Sequence, residues 1–330
     1  MRSRILAFTA CLLALCAGSA QTQPEGDPLD VAITIGMVGD LVETIGGPCV
    51  RTTTLIGPGV DPHLYRPSAR DVQALQRAEL ILYSGYSLEG QLGEVLARFA
   101  TRKPTLAVTE RATEAADLIR VQGAYGVDPH LWMDVGLWAK TIPTITAAIA
   151  EQQPACAAAS EARAAVYAEQ LAALHDWVSA AVASIPPTQR ILITAHDAFG
   201  YYGRAYGIEV TGIQGISTES EAGIADIRQM AQIIAERQVP AVFVESTINP
   251  RTVQAVVEAA ADLGQTVAIG GQLYSDAMGE TGTAGGTYIG MLYENTANIV
   301  RALGGRLPPL PVALHDWAKQ WGIGVEQVDA

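Results

Sequence analysis

Residues 155–185 read ACAAASEARAAVYAEQLAALHDWVSAAVASI, a stretch with no glycine and no internal proline. It follows Pro154 and runs into Pro186-Pro187, whose rings lack the N–H that a continuing helix needs. Tyr167, Leu171, Leu174, Val178, Val182 and Ile185 recur at steps of three and four, so one face is apolar. The pattern predicts a single helix of roughly 45 Å, longer than one small domain needs. A helix of that length serves two lobes, as a rigid spine with a site in the cleft beside it. We place this spine at 155–187, between an N-terminal lobe at 21–154 and a C-terminal lobe at 188–330.

The flanking sequence alternates strand and helix. Asp30 to Ile35, Val50 to Ile56, Leu80 to Ser84 and Thr105 to Val108 read as strands, with helices near Met37 to Ile45, Ser68 to Arg77 and Leu88 to Arg98. Beyond the spine, strands are expected at Arg190 to Thr194, Glu209 to Ile213, Ala241 to Val244 and Thr266 to Ile269, and helices over Pro250 to Leu263 and Tyr288 to Leu303. Thr218, with Glu221 three residues on, is expected to box the start of a helix that runs to about Arg237. The fold class is therefore α/β, with two similar lobes, each a mainly parallel sheet flanked by helices, joined by one long rigid helix. In such sheets ligands bind beyond the carboxyl ends of the strands, which directs the search to the loops there.

Met1 to Ala20 opens with Arg2 and Arg4, continues through the apolar run Ile5 to Cys16 and closes on Gly18-Ser19-Ala20, the layout of a secretory signal peptide. The apolar run is too short for a good spanning helix. Leu15 is not the small residue that lipoprotein signals place before their cysteine, so cleavage after Ala20 is expected, giving a protein soluble in the periplasm. Removing the peptide leaves 19 basic against 34 acidic residues, a formal charge of −15 instead of −13. So acidic a chain is a poor partner for nucleic acid or anionic lipid. Cys49 and Cys156 remain, and in an exported protein such a pair is expected to form a disulfide tying the first lobe to the start of the spine.

The loops after the strands hold the chemistry. Asp61-Pro62-His63-Leu64-Tyr65 follows a strand, and Asp128-Pro129-His130-Leu131-Trp132 repeats the same pattern before a helix. Proline stiffens the backbone ahead of each imidazole, and the preceding Asp can either accept the second ring N–H or close an Asx turn. His196 stands where a strand meets a helix, and Asp276 lies in a glycine-rich loop after the last strand, with Glu245 as its competitor for a fourth position. His175, within the spine, and His315, in the proline-rich tail, read as structural or surface residues.

With these motifs in place, the chain resembles the metal-binding periplasmic components of ABC importers, the cluster A-I (cluster 9) zinc/manganese solute-binding proteins, and within them the TroA type. The resemblance spans about Asp30 to Gly304 and rests on Gly57 to Arg66, Asp128 to Asp134, Thr194 to Gly207 and Gly270 to Gly290, which stand in the family's order. It implies metal ligands at His63, His130, His196 and Asp276, and little hinge closure about the continuous helix. It also implies a membrane permease as partner, a monomeric protein and no enzymatic activity. Zinc-specific members often carry a long His-rich, acidic loop before the second ligand. Here 117–127 is short and has no histidine, which leaves the four-ligand site as the whole site.

Three imidazoles with one carboxylate suit zinc, whereas manganese prefers more oxygen ligands and is the alternative cargo. In the family, manganese-type members have Glu at the position of His196, which marks that residue as the selectivity lever. Two further readings are a metal-dependent hydrolase and a surface adhesin on the same fold. A catalytic zinc keeps one position open for water and needs a nearby base. Four protein ligands leave no such opening, and Glu245 is the one residue that would supply the base.

Overall fold

The computed structural model describes residues 27–122 and 126–325. The signal-peptide reading of Met1 to Ala20 falls outside the described residues. In the first lobe, β1 (Leu29–Ile35), α1 (Gly36–Gly46), β2 (Val50–Ile56), α2 (Ala69–Arg77), β3 (Leu80–Tyr83), α3 (Leu92–Ala100) and β4 (Thr105–Ala107) alternate as expected. They are followed by α4 (Val108–Ala112), α5 (Val135–Ala139) and α6 (Thr141–Gln152). The sheet is all parallel, in the order β2-β1-β3-β4. The sequences explain the order. LDVAITI of β1 and LILY of β3 are almost wholly buried, as central parallel strands covered on both faces must be, whereas VRTTTLI of β2 has a single buried residue and lies at the edge.

Helix α3 starts four residues later than the sequence suggests. Tyr86 and Ser87 adopt positive φ of 50° and 63°, and Gly90 follows at 47°, so the chain turns before it can wind.

The spine is α7 (Ala157–Ala183), entered through a 3-10 turn at Pro154–Cys156 and ending just before Pro186. All six residues of the predicted apolar face are buried, and Trp177 joins them. That face packs on α1, α5 and α6 of the first lobe. It also packs on two helices of the second lobe, α8 (Gly200–Tyr206) and α11 (Tyr288–Ala302). One apolar core consequently runs from β1 and β3 through Leu171, Leu174 and Val178 to Tyr202, Tyr288 and Met291. A hinge motion would have to break that continuous packing. Cys49 and Cys156 are joined, as expected, tying the entry of β2 to the start of the spine.

Counting α8 as already placed, the second lobe contains β5 (Ile191–His196), β6 (Glu209–Gln214), α9 (Ile224–Arg237), β7 (Ala241–Glu245), α10 (Arg251–Asp262) and β8 (Ala268–Leu273). After α11 comes the short α12 (His315–Gln320). Its sheet differs from that of the first lobe, because β5-β6 and β7-β8 form two parallel pairs lying side by side. A second apolar core of Ile193, Ile213, Ile234, Val253 and Val256 fills the space under α9 and α10.

The capping box expected from Thr218 and Glu221 does not form. Helix α9 begins at Ile224 after Gly223, whose N–H donates to Asp226 (2.8 Å). The Thr218 hydroxyl is engaged elsewhere, donating to Asp61 across the cleft (2.6 Å). Local sequence proposed a cap that a tertiary partner overrode.

Candidate metal centre

His63, His130, His196 and Asp276 come together between the lobes, at the carboxyl ends of the strands. All four are buried, and one ligand-type atom from each lies within 4.8 Å of the others. Nε2 of His63 is 3.3 Å from Nε2 of His130. Asp276 sits among the rings, with Oδ1 3.2 Å from Nε2 of His130, and Oδ2 3.2 Å from Nε2 of His196 and 3.9 Å from Nε2 of His63. Both oxygens of Asp276 and Nε2 of His196 are buried without a hydrogen-bond partner. Polar atoms withdrawn from water in this way are costly unless something coordinates them, and a divalent cation at their common focus would do so.

Each of these residues is held from behind. At His130, the Asp128 carboxylate accepts both the backbone N–H (2.9 Å) and the Nδ1–H (2.7 Å), so the Nε2 lone pair faces inward. The preceding Asp therefore plays both roles that its position allowed. At His63 the equivalent Asp61 accepts only the backbone N–H, at 2.8 Å, as an Asx turn. Gly90 lets the neighbouring chain close on the His63 carbonyl, since a Cβ there would stand 2.6 Å from that oxygen. At His196, the Glu245 carboxylate accepts the backbone N–H (2.9 Å) and the Nδ1–H (2.5 Å). Glu245 thus stands behind His196, and Asp276 is the carboxylate that faces the three rings. The loop bearing Asp276 is fixed by the Trp132 indole N–H, which donates to the Ser275 carbonyl (2.8 Å). His175 and His315 are structural, receiving the Gly136 N–H and meeting the Leu310 carbonyl respectively.

Electrostatics follow from this arrangement. Burial pushes the His63 imidazole down to about 3. Burial also opposes charge on His130, but the Asp128 hydrogen bond and the charges of Asp128 and Asp276 outweigh it and hold the group up at about 9. His196 is raised well above the usual histidine range: burial works against it, and the Asp276 and Glu245 carboxylates prevail. Asp276 is held well below the usual carboxylate range because His196, His130 and His63 overcome its burial. Protons and a metal ion thus compete for the same nitrogens.

The profile of the family described as "ZnuA: Zinc-uptake complex component A periplasmic" matches residues 31–302. The chain belongs to this family. Among relatives of this ZnuA-family chain, the manganese-binding lipoprotein MntA of Bacillus subtilis is 41% identical over 306 residues, covering 92% of this chain and 100% of its own. The zinc-binding protein TroA of Treponema pallidum is 42% identical over 302 residues, covering 89% and 97% respectively. The solved structure of the periplasmic zinc-binding TroA superposes with a TM-score of 0.82 at 43% identity, over 84% of this chain and 99% of that one. The architecture, two α/β lobes on a long helix, is that of this ZnuA-family relative.

Proposed function

We propose that the protein captures zinc outside the cytoplasm and hands it to the membrane permease of a metal ABC importer, with His63, His130, His196 and Asp276 as its ligands. One observation carries the reading: three inward-facing imidazole nitrogens and one buried carboxylate meet within 4.8 Å. The relatives divide between zinc and manganese at nearly equal identity, so resemblance does not choose the metal. The donor set does, since three nitrogens and one carboxylate favour zinc, and the Irving–Williams order places manganese weakest. Manganese remains the second reading, on the strength of MntA.

Residues 1–20 act as the export signal, the mature protein works in the periplasm as a monomer, and the lobes divide at 21–154, 155–187 and 188–330. The protein is a carrier and not an enzyme. Both oxygens of Glu245, the residue that would serve as a hydrolytic base, are committed to His196. Competition calorimetry with zinc and manganese tests the metal. Zinc should bind far more tightly, and tighter manganese would overturn the assignment.

A further inference from the structure

The segment 84–90 carries the chain from β3 towards α3 through a turn of unusual backbone. Four of its residues take positive φ: Gly85 at 105°, Tyr86 at 50°, Ser87 at 63° and Gly90 at 47°. For Tyr86 and Ser87, which carry a Cβ, this region is disfavoured and needs support from outside the turn. The Glu89 carboxylate supplies it from inside the first lobe. It is buried, and it reaches back to the carboxyl ends of the two central strands. Its Oε1 accepts the Thr34 hydroxyl of β1 (2.9 Å) and the Ser84 N–H just after β3 (2.6 Å), and its Oε2 accepts the Gly85 N–H (3.2 Å). On the outer side, Glu110 accepts the Tyr86 N–H (2.8 Å). The turn ends against the metal site. A Cβ on Gly90 would stand 2.6 Å from the His63 carbonyl oxygen and 3.4 Å from its carbon. Both are main-chain atoms, which cannot swing aside as the tip of a long side chain can.

We propose that the turn at 84–90 is the template for the first metal ligand: Glu89 fixes the turn to the ends of β1 and β3, and Gly90 sets the place of the His63 backbone against it. The proposal rests on the metal-carrier reading and adds two positioning residues that touch no metal. At His130 and His196 a carboxylate directs the ring through Nδ1, whereas at His63 the Asp61 carboxylate acts on the main chain, accepting the N–H. The turn acts on that same main chain from the carbonyl side. The peptide units on both sides of the His63 Cα are then confined, and the ring is aimed from a fixed base. His63 keeps its other contacts, and the turn adds a wall at a distance that glycine fits and a residue with a Cβ does not. Because Glu89 and its neighbour Leu88 are buried, the turn cannot yield freely, and a side chain at 90 displaces His63.

The test measures zinc affinity of the mature protein by chelator competition. Gly90→Ala should lower it about tenfold, within the range seen when the support behind a ligand is lost. Glu89→Gln turns an amide N–H2 towards the Gly85 N–H and should lower it by a similar factor. Gly264→Ala is the control for backbone strain alone, since Gly264 has a φ of 85° and nothing within 4 Å of its Cβ position. It should stay within about twofold of wild type. In a His63→Ala background, Gly90→Ala should change affinity by less than about twofold, because no ring remains to be misplaced; a merely structural defect would persist there. Urea unfolding of the metal-free variants reports on the fold, and Gly90→Ala, at an exposed position, decides the matter even where Glu89→Gln does not fold. Affinity of Gly90→Ala within about threefold of wild type, an equal loss in Gly264→Ala, or an undiminished loss in the His63→Ala background would overturn the template. A prior titration in which wild-type protein takes up neither zinc nor manganese would instead overturn the carrier reading.

Discussion

Replacing Cys49 and Cys156 together by alanine removes the one covalent link between the first lobe and the spine among the described residues, and its effect can be worked out in advance. The bridge spans 107 residues of sequence. In the chain-entropy account, a loop of that length stabilises the fold by about 4.8 kcal/mol at 25 °C by restricting the unfolded chain. Both cysteines are buried, at 2% and 0% exposure, so losing the sulfurs also leaves a small void worth on the order of 1 kcal/mol. Against this, Arg163 on the spine still holds the end of α1, donating to the carbonyls of Ile45 (2.7 Å) and Gly46 (2.6 Å). Native-state relaxation and residual unfolded structure usually lower the measured value. We expect a loss of about 3–5 kcal/mol in urea unfolding of the metal-free protein, followed by circular dichroism. Zinc affinity should stay within about twofold of wild type. Cys49 precedes β2 and His63 follows it, so the bridge and the site lie at opposite ends of a strand about 23 Å long. A destabilisation below about 1 kcal/mol would refute the entropic argument, and a large fall in zinc affinity would refute the separation of bridge and site.

Three further outcomes can be checked at the site itself. His196→Glu exchanges a nitrogen donor for oxygen and should weaken zinc while narrowing its lead over manganese, read by competition calorimetry with both metals; an unchanged ratio would remove His196 as the selectivity lever. Glu245→Gln leaves at least one of the two N–H groups of His196 without its acceptor, so zinc affinity should fall about 10–100-fold in chelator competition, and a change under about threefold would show that Glu245 does not orient the ring. Because His130 is held up at about 9, the metal-free protein carries an extra ring proton on it at neutral pH, and His196 is shifted in the same direction, while His63, pushed down to about 3, is neutral. Metal binding must displace the extra proton of His130, so affinity should rise with pH from 7 towards 9, and calorimetry in buffers of different ionisation heat should show protons released at pH 7. No buffer dependence would contradict the charge state argued for the site.

Much of this molecule was written in local patterns. The spine is legible because helix ends are marked by proline and its buried face by three- and four-residue steps, both properties of neighbouring residues. The central strands β1 and β3 announce themselves as largely apolar runs for the same reason. His63, His130 and His196 could be singled out because a proline before a histidine, or a histidine at a strand end, is a local event. The fourth position could not be resolved locally. Glu245 ends a strand of the second lobe and Asp276 follows one, and only the packing of β7 beside β5 puts both oxygens of Glu245 on His196 and leaves those of Asp276 facing the rings. Thr218 shows the same limit from the other direction. Its spacing to Glu221 is that of a helix cap, yet its hydroxyl serves Asp61, a residue 157 positions away. A hydrogen bond goes to whichever acceptor the fold brings within 3 Å, and for residues that distant in sequence the choice is made by the lobes' packing on α7, which no local pattern encodes.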